Sequence, residues 1–435
     1  NALYKALMGK ENISGRLPIS IPGMYEIGSG LFLEKRVEGP IVKKFEPGKL
    51  LLRVRPKTVN ANISKIDQLM NQAIADNAWP GAVLLAAKEG NIFYQKGYGY
   101  HTYQGRNITR SSDIFDLASI TKTVATTSSI MKLKDLGKID INKPVVHYLP
   151  KFKGNDKKYF NQKSKITIKD LLAHASGLPA FKQYYKEEKT RELVLESIYD
   201  TVPIKSNRDT TIYSDVGAII LGEIVEKISG LPLNVFADSM IFKPLGMGTT
   251  FFNPPSNKMR RIVPTEFKPD GTIVHGYVHD ENAYSLGGVA GHAGLFSTAK
   301  DLAVFSQMML NDGLYGWKRI FKTETVNEFT TKANVVDGSS RLLGWDSPGG
   351  YASGGIYLSD NSFGHTGFTG TSMWIDPDQD IIVILLTNAV HPNRKNKSPK
   401  YYDWRQRIHS GVYESLSIIN KNPNLKLRPR WEEGE

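Results

Sequence analysis

Three stretches of this chain space a serine and a lysine as Ser-x-x-Lys: Ser119/Lys122 in "LASITKTV", Ser129/Lys132 ten residues on, and Ser297/Lys300 in "GLFSTAKDL". On a helix, positions i and i+3 share a face with Cβ atoms about 5–6 Å apart, so a hydroxyl and an amine at this spacing can meet. The lysine can then take the hydroxyl proton and release a nucleophile, provided burial or nearby positive charge lowers its pKa. Spacing alone cannot choose among the three; position on the helix has to.

Ser297 stands beside Thr298, either of which is a natural N-cap, and Thr298-x-x-Asp301 makes a capping box, so capping explains this match without chemistry. Ser129 falls in mid-helix, where a hydroxyl bonds back to a carbonyl one turn earlier. Ser119 opens a helix after "SSDIFDLA", where exposed N–H groups and the helix dipole favour developing negative charge. Its plain alternative is another N-cap.

Other chemistries find less support. "VHGYVHDENAYSLGGVAGHAG" concentrates His275, His279, Asp280, Glu281 and His292, but Gly276 works against a helix with ligands at i and i+4, and no zinc spacing matches. A hydrogen-bonded loop is the expectation there. The chain has no cysteine, which excludes disulfides and a thiol nucleophile. It has no Gly-x-Ser-x-Gly elbow, P-loop or dinucleotide fingerprint, so no cofactor is expected.

The elements that must position these residues read as follows. "SKIDQLMNQAIAD" has helical periodicity, and "AVLLAAKEGNIFYQKGYGY" reads as two strands turning at Glu89-Gly90-Asn91. Helices are expected at 119–136, 168–174, 190–200, 215–229 and 299–311, with Gly137 and Gly230 as stops. "TSMWIDPDQDIIVILLTN" gives strand, turn and strand, and "DWRQRIHSGVYESLSI" a last helix. Strands at both ends around a helical middle imply an α+β fold: an antiparallel sheet flanked by helices, with a mainly helical subdomain.

The 435 residues suffice for one or two large cores, and the longest apolar run, "IIVILLTNAV", is far short of the ~20 residues of a membrane-spanning helix. The net charge of +13 sits at the ends: residues 1–60 hold eleven basic against five acidic residues, 391–435 ten against five, and the middle 35 against 33. "YDWRQR" and "LKLRPRW" are the best nucleic-acid candidates, and neither is a binding module, so no nucleic-acid partner is expected. An anionic cell-envelope polymer stays open as a partner.

Together with "ASITKTV", the stretches "GKIDINKPVVHYLP", "ITIKDLLAHASGLP", "YSDVGAIILGEIVEKISG", "GGVAGHAGLFSTAKDL" and "GHTGFTG" resemble the serine β-lactamase and penicillin-binding-protein superfamily, in its class C-like branch with esterases and D-amino-acid peptidases. The resemblance covers about residues 60–420. It implies Ser119 as the acylated nucleophile, Lys122 as its proton acceptor and Tyr213 of "YSD" as the proton shuttle to the leaving group. His365-Thr366-Gly367 fills the substrate-binding strand position, and the N–H groups of Ser119 and Phe368 fill the oxyanion hole. A literal Tyr-x-Asn at Tyr159-Phe-Asn161 comes in the wrong order.

Two departures modify that picture. Asp215 stands where the family usually has Asn, and a carboxylate near Lys122 would raise its pKa and shift the base role toward Tyr213. His365 replaces lysine and would titrate near pH 6.5 if unperturbed, which favours esterase or peptidase over efficient β-lactamase. The expected substrate is a small molecule or a peptidoglycan-derived fragment, in a bacterial periplasm or cell envelope. The alternative is a weakly active or inactive peptidoglycan-binding protein.

Residues 1–59 read as an N-terminal extension before a 60–435 hydrolase domain. "ENISGRLPISIPGMYEIGSGL" resembles the tail of a family 3 glycoside hydrolase. The chain starts on Asn with no charged-then-apolar leader, so it is expected to be a processed or excised piece.

Overall fold

The computed structural model describes residues 46–187, 190–397 and 399–431, with two short strands nearer the start. It divides into compact units at Pro47/Gly48. In the first unit, β1 (Ile13–Arg16) pairs antiparallel with β2 (Gly30–Leu33). The remainder of the stretch resembling a glycoside hydrolase lies outside the described residues.

The second unit opens with β3 (Leu52–Arg53) and α1 (Ser64–Ala75), and then the expected hairpin of β4 (Gly81–Lys88) and β5 (Asn91–Gly99). The connection is tighter than "EGN" suggests: Glu89 and Gly90 alone turn the chain, at φ of 53° and 80°. Two positive φ values in a two-residue loop match the right-handed twist of the flanking strands. β6 (Phe115–Asp116) leads to the Ser119 segment, whose helix starts at Ile120. It runs through a π-helical turn, Lys122–Thr127, into α2 (Ser128–Asp135), and Gly137 follows at a φ of 68°.

After shorter helices that include Ile168–Leu172 and Arg191–Asp200, near the expected positions, come α3 (Asp215–Ser229), β7 (Phe251–Phe252), β8 (Leu295–Ser297) and α4 (Ala299–Leu310). The chain closes with β9 (Phe363–Thr366), β10 (Ser372–Asp376), β11 (Ile381–Thr387) and α5 (Pro399–Ser415). The large sheet has the order β9-β10-β11-β4-β5-β3, antiparallel except for β3 beside β5, while β6, β8 and β7 form a small second sheet. Strands from the two halves of the sequence meet where β11 pairs with β4, Ile381 opposite Lys88 and Thr387 opposite Ala82.

That pairing explains why both strands read as unbroken apolar runs. Successive side chains point to opposite faces, and here both faces are covered. Val83, Leu85, Ile382 and Ile384 face the helical subdomain, whereas Leu84, Ile381, Val383 and Leu385 face a cluster that holds Trp79, Tyr401 and Trp404 of α5. Each fully buried Leu, Ile or Val contributes about 1.5–3 kcal/mol. The basic "YDWRQR" is used within this layer: the Trp404 indole donates to Asp76 at 2.9 Å, and Arg405 lies over the Tyr401 ring at 5.0 Å. No helix among the described residues is long and apolar enough to cross a membrane.

Candidate active site

Asp116, at the end of β6, fixes the backbone that presents Ser119. One carboxylate oxygen accepts from the Ala118 N–H at 2.8 Å and the other from the His279 N–H at 2.7 Å, while burial pushes the carboxyl up to about 6. Ala118 sits at a φ of 46°, a left-handed conformation that costs an L-residue about 1–2 kcal/mol. The Asp116 bond holds it there. Ser119 follows, half-buried, one residue before the helix proper. Its Oγ accepts from Lys122 Nζ at 2.8 Å and caps no backbone N–H among the described hydrogen bonds, so the N-cap alternative is not what the fold uses.

Lys122 is 4% exposed, and its ammonium lies 2.7 Å from Asp215 Oδ1, 3.2 Å from the His292 carbonyl and 4.8 Å from the centre of the Tyr213 ring. Burial alone would lower its pKa, but the charge of Asp215, with Tyr213 beside it, holds it above the usual lysine range. Lys122 is therefore a cation in the resting protein. Behind it, the His292 imidazole meets Asp280 Oδ1 at 2.7 Å; burial works to raise the Asp280 carboxyl, and His292 overrides this and holds it low.

Tyr213 and Asp215 are delivered by the start of α3. Ser214 Oγ caps that helix by accepting from the Gly217 N–H at 3.1 Å, and the Asp215 N–H donates to the Ala180 carbonyl at 2.8 Å. The Ser214 N–H donates to His174 Nδ1 at 3.1 Å. The Tyr213 ring consequently lies between His174 (4.7 Å between centroids) and His365 (5.8 Å), with the Arg341 guanidinium 5.2 Å from its centre. Arg341 also pairs with Asp346. No motif marks Arg341, and His174, although it lies in "ITIKDLLAHASGLP", has no spacing that assigns it a role.

The last wall is the end of β9. Thr369 and Thr371 reach back to the strand before Ser119, their hydroxyls donating to the carbonyls of Asp116 (2.7 Å) and Leu117 (3.0 Å). Gly367 is enclosed there: a Cβ would lie 2.1 Å from Thr371 Oγ1 and 2.3 Å from the Leu117 carbonyl oxygen. His365, Thr366, Gly367 and Phe368 are thus tied to the Ser119 segment. Neither the Ser119 nor the Phe368 N–H donates to a backbone carbonyl among the described hydrogen bonds. The Phe368 ring is 46% exposed, with Lys397 Nζ 4.5 Å from its centre.

His365 departs from expectation. Burial, aided by the charges of Lys122 and Arg341, pushes its imidazole down to about 3, so it is neutral at physiological pH instead of titrating near 6.5. The permanent cations at the site are Lys122 and Arg341.

The other candidates are committed elsewhere. Ser129 Oγ donates to the Ala125 carbonyl at 2.6 Å, and Lys132 reaches the Ile320 carbonyl at 2.8 Å. Thr298 caps α4, whereas Ser297 bonds Thr250 Oγ1 at 2.7 Å. The Thr298–Asp301 capping box forms only by half, because Asp301 Oδ2 accepts from Thr249 instead. The histidine-rich stretch is divided: His275 bonds the Met259 and Ile262 carbonyls, His279 bonds Thr265, Glu281 pairs with Arg394, and among the described residues no group forms a metal-ligand cluster. Tyr159 lies in the turn Lys157–Tyr159, its ring under Lys158.

Comparison with known proteins bears on the family and the fold. The family model described as Beta-lactamase matches residues 66–407. An N-acetylmuramyl-L-alanine amidase of Bacillus subtilis is 36% identical over 379 residues, covering 78% of this chain and 85% of the relative. A putative D-alanyl-D-alanine carboxypeptidase of Salmonella gallinarum is 37% identical over 348 residues, covering 73% and 80%. In fold, the octameric penicillin-binding protein homologue from Pyrococcus abyssi superimposes with a TM-score of 0.63 at 20% identity, over 84% of this chain and 79% of that one. With a family match across most of its length and a serine bonded to a buried lysine at the junction of sheet and helices, the chain belongs to the beta-lactamase family and is a serine hydrolase of the β-lactamase and penicillin-binding-protein type.

Proposed function

We propose that the chain cleaves an amide or ester through an acyl-enzyme on Ser119, with a peptidoglycan-derived D-amino-acid peptide as its substrate in the bacterial cell envelope. The observation that carries this reading is the chain of contacts from Ser119 Oγ through Lys122 Nζ to Asp215 Oδ1, closed over by Tyr213. The cell-wall assignment is supported by the names of the amidase and carboxypeptidase relatives.

Ser119 Oγ attacks the carbonyl carbon, and the Ser119 and Phe368 N–H groups receive the oxyanion. Preorganised donors in such a site supply roughly 3–4 kcal/mol each in the transition state. With Lys122 held as an ammonium, the Tyr213 hydroxyl relays the proton, accepting it from Ser119 Oγ as it passes its own to the leaving group. Lys122 and Arg341 both stand over its ring and stabilise negative charge that builds there. The amine or alcohol leaves with that relayed proton, and water releases the acyl group by the reverse route. Because His365 is neutral, Arg341, over the Tyr213 ring, is the anchor for a substrate's terminal carboxylate.

Intact-mass analysis after incubation with benzylpenicillin or a fluorophosphonate tests the nucleophile. One adduct mapped to Ser119 is the expected result. No adduct with either reagent would sink the acyl-enzyme and leave the inactive binding protein as the better account. Profiling on esters, β-lactams and D-Ala-D-Ala peptides then tests the substrate class, with the peptides expected to give the highest kcat/KM.

A further inference from the structure

A pocket that shares no lining residue with the candidate active site gathers positive charge. It has a volume of about 600 Å³ and is lined by His101, Arg106, Arg110, Asp113, Arg260 and Arg261, among others. Residues 61–390 are almost charge-balanced, at 35 basic against 33 acidic, so four arginines around one pocket are a local concentration. Asp113, the only acid in the lining, is already engaged by His101 at 2.8 Å and by the Arg110 N–H at 2.7 Å. Arg261 grips the Ser112 carbonyl, whereas Arg106, Arg110 and Arg260 are exposed and take part in none of the ion pairs among the described residues.

The backbone keeps these charges together. Arg106 and Arg110 come from the loop after β5, and Arg260 and Arg261 from a 3-10 turn, Ser256–Arg261. The two segments are bonded to each other: the Ile114 N–H donates to the Arg261 carbonyl at 2.7 Å and the Val263 N–H to the Ile114 carbonyl at 2.9 Å. Like charges held in this way repel, and an anion between them removes the repulsion. Guanidinium forks match phosphate oxygens in two-point contacts.

A second cavity, of about 370 Å³, shares His101, Asn107 and Arg260 with the first and continues past Met259, Ile262 and Ile273. The result is a groove with a cationic end and an apolar extension. Neither cavity has a Phe, Tyr or Trp in its lining, so the large rings on which successive nucleobases of a single strand stack are missing from both.

We propose that this groove binds a phosphodiester polymer without bases, of the poly(alditol phosphate) kind, and so holds the chain on an anionic polymer independently of its hydrolase site. The test is fluorescence anisotropy on the full chain with a labelled poly(glycerol phosphate) oligomer, titrated at several salt concentrations beside an oligothymidylate of equal phosphate count. Binding of the glycerol phosphate oligomer that weakens as salt rises is expected. In the double variant Arg106→Gln/Arg260→Gln, affinity should fall about tenfold or more and the log–log salt slope by about 1.4, at about 0.7 for each lost contact. The melting temperature and turnover of a small ester should stay unchanged, which separates loss of this groove from loss of the fold or the hydrolase site. No binding at low salt, binding indifferent to the double variant, or equal affinity for oligothymidylate would each overturn the proposal.

Discussion

The same tetrad occurs twice along one helical segment, and its two copies have opposite fates. Ser119 and Lys122 bond to each other, whereas Ser129 and Lys132, ten residues on, turn away to separate backbone carbonyls. Helical spacing is shared, so spacing is not what separates them. Ser119 precedes the helix and has no carbonyl one turn earlier to bond, while Ser129 has Ala125. Lys122 is enclosed by Asp215, Tyr213 and the His292 carbonyl, all brought from distant parts of the chain. The surroundings, and not the spacing, separate the two pairs.

The sharpest way to break this comparison is to delete each serine. Ser119→Ala should lower kcat by at least ~10³-fold and abolish the fluorophosphonate adduct, whereas Ser129→Ala should leave kcat within about twofold. Equal losses would mean that the two sites had been wrongly distinguished. The next contrast removes the carboxylate that marks out Lys122. In Asp215→Asn the ammonium loses the charge that holds its pKa above the usual lysine range, so it gives up its proton at lower pH. The alkaline limb of the pH–rate profile should move to lower pH, with kcat/KM falling about tenfold. An unchanged profile would refute the role given to Asp215.

Arg341 offers a smaller effect with a clear discriminator. Removing a charge-assisted contact costs about 1.5–3 kcal/mol, so Arg341→Gln should reduce kcat/KM on peptides ending in a free carboxylate roughly tenfold or more, mainly through KM. Neutral esters should be affected less than about twofold, and equal losses on both substrates would assign Arg341 to the fold instead.

The smallest effect compares His365 at the site with His409 in α5. Burial is the main cause in each case and brings both imidazoles to about 3, with Lys122 and Arg341 assisting at His365 and Arg405 at His409. A histidine depressed in the folded state contributes stability that is present above its free value of 6.5 and lost as pH falls toward 3. In His409→Gln the gap between urea midpoints at pH 7 and pH 4 should therefore narrow. An unaltered gap would show that His409 does not contribute to acid sensitivity.

By itself the sequence determined the elements: the hairpin at Glu89-Gly90, the apolar runs that became β4 and β11, the stop at Gly137 and the cap at Thr298. These depend on local periodicity and turn chemistry, which neighbours along the chain express without help. It also carried the candidate cluster, because Ser119, Lys122, Tyr213 and His365 lie in stretches with recognisable order. Protonation was decided by the tertiary structure. Lys122 is a cation because Asp215 lies 2.7 Å away, and His365 is neutral because it is buried beside Lys122 and Arg341. Arg341 itself joined the site only through folding, since no spacing in the sequence connects it to Tyr213. Charge states follow from distance and solvent exclusion, and those exist only once residues far apart in the chain have packed together.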